Sequence, residues 1–314
     1  MTENHLEVTG EEILATVSRG GVIESHHNGH IVELGSDGGV GFSRGNIHEL
    51  IFPRSSIKGI QSAAMVKMGL NLEPRLLALV SASHSGSEVQ QSAVLEILRK
   101  GKIPETALQN SLDRPLGEVE RRAWGQRAAT SLAQNCSGKH AGMLLTCVVN
   151  GWSMQDYLLP THPLQMAIRG ELELLGEEVI SITSIDGCGA PLFLISLLGL
   201  ARAIHNLTIS IEPARIQVVA ACRAHPEMVA GEGRTTTRLM RQVPGLFLKE
   251  GAEGVGVGSL PDGRTFAFKI SDGSPRPYGP LVIAALRLFN TFAEEEIAPI
   301  YGGNQVVGSI TANF

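Results

Sequence analysis

The sequence predicts an α+β fold, a mainly antiparallel sheet built from both ends of the chain with a helical region inserted between them. Three observations carry this expectation. Short β-rich runs separated by turn residues fill the first fifty positions; helical spacing takes over at Ser55; strand patterns return near Val255. No repeat, low-complexity tract or linker interrupts the 314 residues. The chain therefore reads as a single domain, 1–314, with 1–54 and 245–314 forming the sheet and 55–244 mainly helical.

At the N-terminal end, Gly20-Gly21 precedes Val22-Ile23-Glu24, and His27-Asn28-Gly29 precedes the apolar run His30 to Leu34. Asn-Gly between two such runs predicts a hairpin turn at Asn28-Gly29. From Ser55, residues Ile57, Ile60, Ala64, Met65 and Met68 share one helical stripe that stops at Gly69. A second helix is expected from Pro74 to Val80. A third runs from Ser87, which has capping-box spacing to Gln90, to Lys100 before Gly101. Further helices are expected over 116–130, 139–150, 162–175, 190–204 and 213–224. Val255 to Leu260 and Thr265 to Ile270 read as strands around a Pro261-Asp262-Gly263 turn, followed by a helix over 279–292 and a strand near 305–309.

Composition narrows the function. A net charge of -5 gives no electrostatic footprint for nucleic acid, and Arg121-Arg122 is the densest basic pair. The longest apolar stretch, Ala190 to Leu200, is shorter than the ~20 residues a bilayer span needs. The acidic start lacks the basic and apolar segments of a secretory signal, and four scattered cysteines make no disulfide framework. These features predict a cytoplasmic protein that acts on a small molecule, with no nucleic-acid or membrane partner.

Chemistry is suggested by Ser55-Ser56-Ile57-Lys58, a Ser-x-x-Lys step in which serine and lysine share a helical face. A serine hydroxyl needs a base to attack at neutral pH, and a lysine whose pKa is lowered by burial can serve. Lys58 lies between Ile57 and Ile60, a setting that disfavours its charge, whereas Ser55 could equally be a helix cap. The loop Ser81-Ala82-Ser83-His84-Ser85 is crowded with hydroxyls, and Lys269 closes the strand Phe266 to Ile270, where a solvent-facing edge lysine is the plainer alternative. Gly254-Val255-Gly256-Val257-Gly258 lacks the spacing of a nucleotide loop and precedes a strand. His26, His27 and His30 have no partner at ligand spacing and read as a solvated turn.

Several longer segments resemble the asparaginase II family, the rhizobial-type group distinct from the threonine-nucleophile bacterial enzymes. They are Arg54-Ser55-Ser56-Ile57-Lys58, Ala82-Ser83-His84-Ser85, Asn135-Cys136-Ser137-Gly138-Lys139-His140, Asp186-Gly187-Cys188, the run His225 to Arg234, and Lys269-Ile270-Ser271-Asp272-Gly273. The resemblance implies a fold similar to serine β-lactamases and glutaminases, and hydrolysis of L-asparagine to L-aspartate and ammonia. Carried over by residue, its two Ser-Lys pairs fall on Ser55 with Lys58 and on Ser83 with Lys269, leaving open which serine attacks. Gly59 stands where the family commonly has proline.

The resemblance also implies zinc held by Cys136, Lys139 and Cys188, although their spacing is no standard zinc pattern and two such cysteines alone read as core thiols. It further suggests a homodimer. Arg54 and Asp186 carry the opposite charges that the two ends of an amino acid require, or are held in structural salt bridges with other partners. His84 and Glu232 are further substrate-binding candidates, and Arg234 shares the glycine-rich loop of Glu232. The competing readings are a glutaminase or other small-amide hydrolase, and a non-catalytic amino-acid-binding protein.

Overall fold

The structure, a computed structural model, describes residues 10–294 and 298–314. The reading of the first residues as lacking a signal segment lies largely outside them. Among the described residues, twelve strands and eleven α-helices follow in chain order. β1 (Glu12–Arg19), β2 (Val22–Leu34), β3 (Val40–Arg44) and β4 (Leu50–Ile51) come first. A 3₁₀ turn over Arg54–Ile57 leads into α1 (Lys58–Lys67), α2 (Pro74–Val80), α3 (Glu88–Lys100), α4 (Glu118–Trp124), α5 (Ser137–Asn150) and α6 (Pro163–Gly176). The short strands β5 (Thr183–Ile185), β6 (Pro191–Phe193) and β7 (Ile195–Ser196) precede α7 (Leu197–Thr208), α8 (Pro213–Ala224), α9 (Pro226–Val229) and α10 (Thr235–Gln242). The chain ends with β8 (Phe247–Gly251), β9 (Val255–Ser259), β10 (Thr265–Ile270), α11 (Tyr278–Leu288), β11 (Ala298–Gly302) and β12 (Gln305–Ala312).

The main sheet runs β11-β12-β1-β2-β10-β9-β8, with β3 also paired to β2, and every pairing is antiparallel. Strands from both ends of the chain thus meet at β2–β10, as the α+β reading required. Side chains alternate across the sheet. Phe266 and Phe268 meet the rings of Phe289 and Tyr278 at α11. The hydroxyl of Thr265, two positions before Ala267 and four before Lys269, instead reaches Ser259, which bonds Thr208 of α7. α11 therefore covers one face and the helical region the other. One buried apolar cluster runs through both, from Leu14 to Ile310.

The expected turn at Asn28-Gly29 is not one. Gly20 and Gly21, at φ 56° and 80°, make the turn, and β2 continues unbroken to Leu34. Gly29 serves another purpose: a Cβ there would lie 2.1 Å from the carbonyl oxygen of Lys269, so glycine permits close approach of β10. The helix expected over 190–204 begins later, because Ser196 caps it through the Gly199 N–H (2.9 Å) after two short strands. The expected helix over 116–130 is shorter, stopping at Gly125 with φ 60°. The capping box of Ser87 and Gln90 is present. Among the described residues no helix is long and apolar enough to cross a membrane.

Candidate active site

Ser83 lies in the loop after α2, buried to 4% exposure. Its N–H donates to Val229 O (3.0 Å), and that of Ser85 to Ala230 O (2.7 Å), so the loop docks on α9 as a short strand would. Gly231 makes this possible. A Cβ there would fall 2.1 Å from Ser85 Oγ, and its φ of 143° suits glycine. The His225-to-Arg234 segment therefore acts first through its backbone, as the bed of the serine loop.

Two lysines converge on Ser83. Lys58, the first residue of α1, places Nζ 3.2 Å from Ser83 Oγ and also donates to Ala82 O and to Cys136 Sγ (3.1 Å). Lys249, from β8, places Nζ 3.1 Å from the same oxygen and donates to Glu250 O (2.8 Å). Both are 1% exposed. Burial first, then the neighbouring charges of Lys58 and Arg234, hold Lys249 well below the ordinary lysine range. Arg234 donates to Ser83 O (2.9 Å) and pairs with Glu250, which also accepts from Thr236 Oγ1 (3.2 Å).

Ser83 opens into a cleft of about 490 Å³ that is also lined by Ser55, Asn135, Arg234, Glu250 and Tyr278. Ser55 sits in the 3₁₀ turn that leads into α1, where the Ser56 N–H donates to Pro53 O (3.2 Å) and the Lys58 N–H to Ser55 O. Both predicted serines thus face one cleft. Gly59 packs under Phe247 of β8, whose ring a Cβ would meet at 3.0 Å. The glycine lets α1 and β8 approach while carrying the two lysines.

The predicted pairing of Ser83 with Lys269 is not what the structure shows. Lys249 and Lys269 face the same side of the sheet, but β9 lies between their strands, which separates them by about 10 Å sideways. Lys269 donates to Ile270 O and lines a separate cavity. Lys249 was missed because Phe247 to Gly251 is a short run that no alternation marks out, with all of its first three residues buried. The usable signal was a lysine closing an apolar run between Pro244-Gly245 and Gly251, which Lys269 shows equally well.

Four predicted substrate-binding residues lie elsewhere. Arg54 Nε donates to Asp186 Oδ1 at 2.7 Å, so the two charges pair with each other, which neither the substrate reading nor a salt bridge to other partners anticipated. His84 is fully buried and bonds Ser137 Oγ through Nε2 (2.8 Å); burial, then Lys58 and Arg234, push its pKa down to about 3. Glu232 is exposed and grips Arg241 through both oxygens, at 2.7 and 2.8 Å. Neither His84 nor Glu232 lines the cleft.

Cys136, Lys139 and Cys188 do come together. Lys139 Nζ is 3.3 Å from Cys188 Sγ, and Cys188 Sγ is 3.7 Å from Asp186 Oδ2. A hydrogen bond from Cys136 holds the Cys188 thiol down to about 5 against burial, with the Lys139 ammonium assisting. The same bond, with burial, pushes Cys136 up to about 12. The cysteines are free. Two sulfurs and an amine nitrogen suit the borderline-soft zinc ion. No group of three His, Cys, Asp or Glu side chains among the described residues could hold a metal, so such a site needs Lys139 as a donor.

No curated protein matches the chain. Among solved structures it is similar to a β-lactamase from Mycobacterium bovis, at 11% identity and TM-score 0.38, covering 83% of this chain and 94% of that one. It is also similar to EstCE1, a hydrolase with promiscuous acyltransferase activity, at 11% identity and TM-score 0.41, covering 87% and 92%. The family described as L-asparaginase II matches residues 15–310, nearly the whole length, and the chain belongs to that family.

Proposed function

We propose that the protein is an L-asparagine amidohydrolase that releases L-aspartate and ammonia through a serine acyl-enzyme activated by lysine. The observation that carries this reading is the placing of Ser83 Oγ between Lys58 Nζ (3.2 Å) and Lys249 Nζ (3.1 Å) at the floor of a cleft. The two amines differ. Lys58 has three acceptors for the three N–H bonds of an ammonium, so no lone pair remains. Lys249, whose pKa burial lowers, offers in its neutral form a lone pair that accepts the Ser83 proton while one N–H stays on Glu250 O.

Ser83 Oγ then attacks the side-chain amide carbon as its proton passes to Lys249. The tetrahedral intermediate collapses, the C–N bond breaks, and the nitrogen leaves as ammonia with the proton Lys249 holds. Water, deprotonated by Lys249, releases aspartate from the ester. Backbone N–H groups near the nucleophile stabilise the oxyanion. Arg276 at the rim and Glu250 within the cleft offer the opposite charges for the amino acid's carboxylate and ammonium. A second reading has Ser55 attack and Ser83 relay its proton to Lys249, and it is favoured by the position of Ser55 in the lining of the same cleft.

Zinc, when bound, would be held by Cys136, Cys188 and Lys139 and would supply a cation that neutralises the two thiolates. Lys58 would still reach Cys136 from the serine side, so the metal's part is to fix that lysine's position. On this reading the protein acts in the cytoplasm, as a homodimer.

Ammonia release from L-asparagine by purified protein, with L-glutamine as comparison, tests the substrate. Saturable asparagine binding without ammonia would sink the enzyme reading. Peptide mapping of the aspartyl ester in acid-quenched turnover samples locates the acyl group on Ser83 or Ser55 and decides between the two readings, and release of aspartyl hydroxamate on separate addition of hydroxylamine reports the acyl-enzyme itself.

A further inference from the structure

A second cavity of about 350 Å³ opens on the other side of the Arg54–Ser55 turn, with none of its lining shared with the cleft. Its polar wall has both signs. Lys269 has one N–H on Ile270 O, which leaves two of its three for another acceptor. His30 is 1% exposed; its Nδ1 accepts the Asn46 N–H (2.9 Å), which fixes the remaining proton on Nε2, and Nε2 has no partner among the described residues. Burial lowers the pKa of His30, outweighing Glu49 and Glu11, in keeping with this neutral tautomer.

The carboxylates of Glu49, itself 8% exposed and accepting from Asn46 Nδ2 through Oε2 (3.3 Å), and of the more exposed Glu253 line the same cavity. Phe52 and Leu192 supply apolar wall. A lone anion here would meet Glu49 and Glu253. A lone cation would meet Lys269 and the His30 donor. One small molecule carrying both charges satisfies all four, and an orphaned, buried N–H is a costly feature that such a ligand would relieve.

The partition between the two cavities is thin. Arg54 and Glu253 face the second cavity, 3.7 Å apart, while their chain neighbours Ser55 and Gly254 line the cleft. Both Arg54 and Glu253 hold positive φ, 52° and 58°, a costly backbone state that their surroundings must sustain.

We propose that this second cavity is a binding site for a small α-amino acid with an uncharged side chain, its carboxylate on Lys269 and His30, its ammonium on Glu49, and its side chain against Phe52 and Leu192. L-valine, isovalerate and isobutylamine, which carry both charges, the carboxylate alone and the ammonium alone, are titrated calorimetrically against the full chain. Valine is expected to bind saturably and at least tenfold more tightly than either analogue. Lys269→Met should weaken valine at least tenfold and bring it level with isobutylamine. Leu192→Trp, which fills the cavity without touching a charge, should abolish the signal, with thermal unfolding as the folding control for both. Lys249→Met, in the cleft, should leave valine binding in place. No saturable valine binding, an analogue that binds as tightly as valine, loss only in Lys249→Met, or indifference to both cavity variants would each overturn the proposal. Asparagine turnover is read separately, so failure of the amidohydrolase reading leaves this test standing.

Discussion

Lys249 and Lys269 invite comparison because they are so nearly equivalent. Each closes an apolar run in a neighbouring part of one sheet, each faces the helical region, and burial lowers the pKa of each. They differ in company. Lys249 is enclosed with Lys58 and Arg234, whose like charge adds to desolvation, and its nearest hydroxyl is Ser83. Lys269 has Glu253 and Asp272 nearby, which favour its ammonium form, and among the described residues it bonds Ile270 O and no serine. Burial makes a lysine available as a base only where no carboxylate restores the charge.

The sharpest break in this comparison is turnover. Lys249→Met should lower asparaginase kcat by about 10²–10⁴-fold, whereas Lys269→Met should lose less than tenfold in the same ammonia assay. Equal losses would mean that the cleft does not contain the working base. Because Lys249 must be neutral to act, activity should rise with pH through its depressed pKa. Lys249→Arg, which stays charged, should be inactive across that limb instead of shifting it.

Stability should move the opposite way. A lysine neutral in the fold and charged when unfolded opposes folding at every pH below the unfolded value of 10.5, because the unfolded chain binds the extra proton. The penalty lessens as pH rises from the depressed folded pKa towards that value. Lys249→Met should therefore raise stability at neutral pH by about 1–2 kcal/mol while removing activity. Urea denaturation of the two proteins measures this, and a less stable Lys249→Met would show that its hydrogen bonds outweigh its desolvation. At the opposite extreme, Glu232→Ala should leave turnover within a factor of two, because the carboxylate holds only Arg241 at the surface.

How much of this was legible follows from the range of each signal. The α+β plan was, since hydrophobic period and turn chemistry are local, and both ends of the chain reported strands. Ser83 and Ser55, singled out by sequence, line one cleft, and Lys139 lies against Cys188. The partner of Ser83 was not, because strand register chooses between two lysines twenty positions apart, and register is a long-range property. Arg54 and Asp186 were read by charge alone, which cannot say that each would find the other at 2.7 Å before any ligand. Gly29 misled because a glycine that admits a neighbouring backbone looks, in sequence, like one that makes a turn.

The smallest effect tests whether burial without chemistry leaves the same mark. Glu33 on β2 lies opposite Phe266, on the α11 side of the sheet, away from both cavities. It is 3% exposed, its Oε1 has no hydrogen-bond partner among the described residues, and burial raises its pKa from 4.5 to about 8. Here the folded state binds the proton more tightly. Its stabilising share is full at low pH and declines as pH climbs from about 4.5 to about 8, by at most about 1.4 kcal/mol per pH unit. Glu33→Gln keeps the shape and removes the titration, so its urea midpoint should change less between about pH 5 and pH 8 than that of the parent, with asparagine turnover retained. Identical pH slopes for the two proteins would mean that Glu33 has found a partner that satisfies its charge, and that desolvation at this face is weaker than its burial implies.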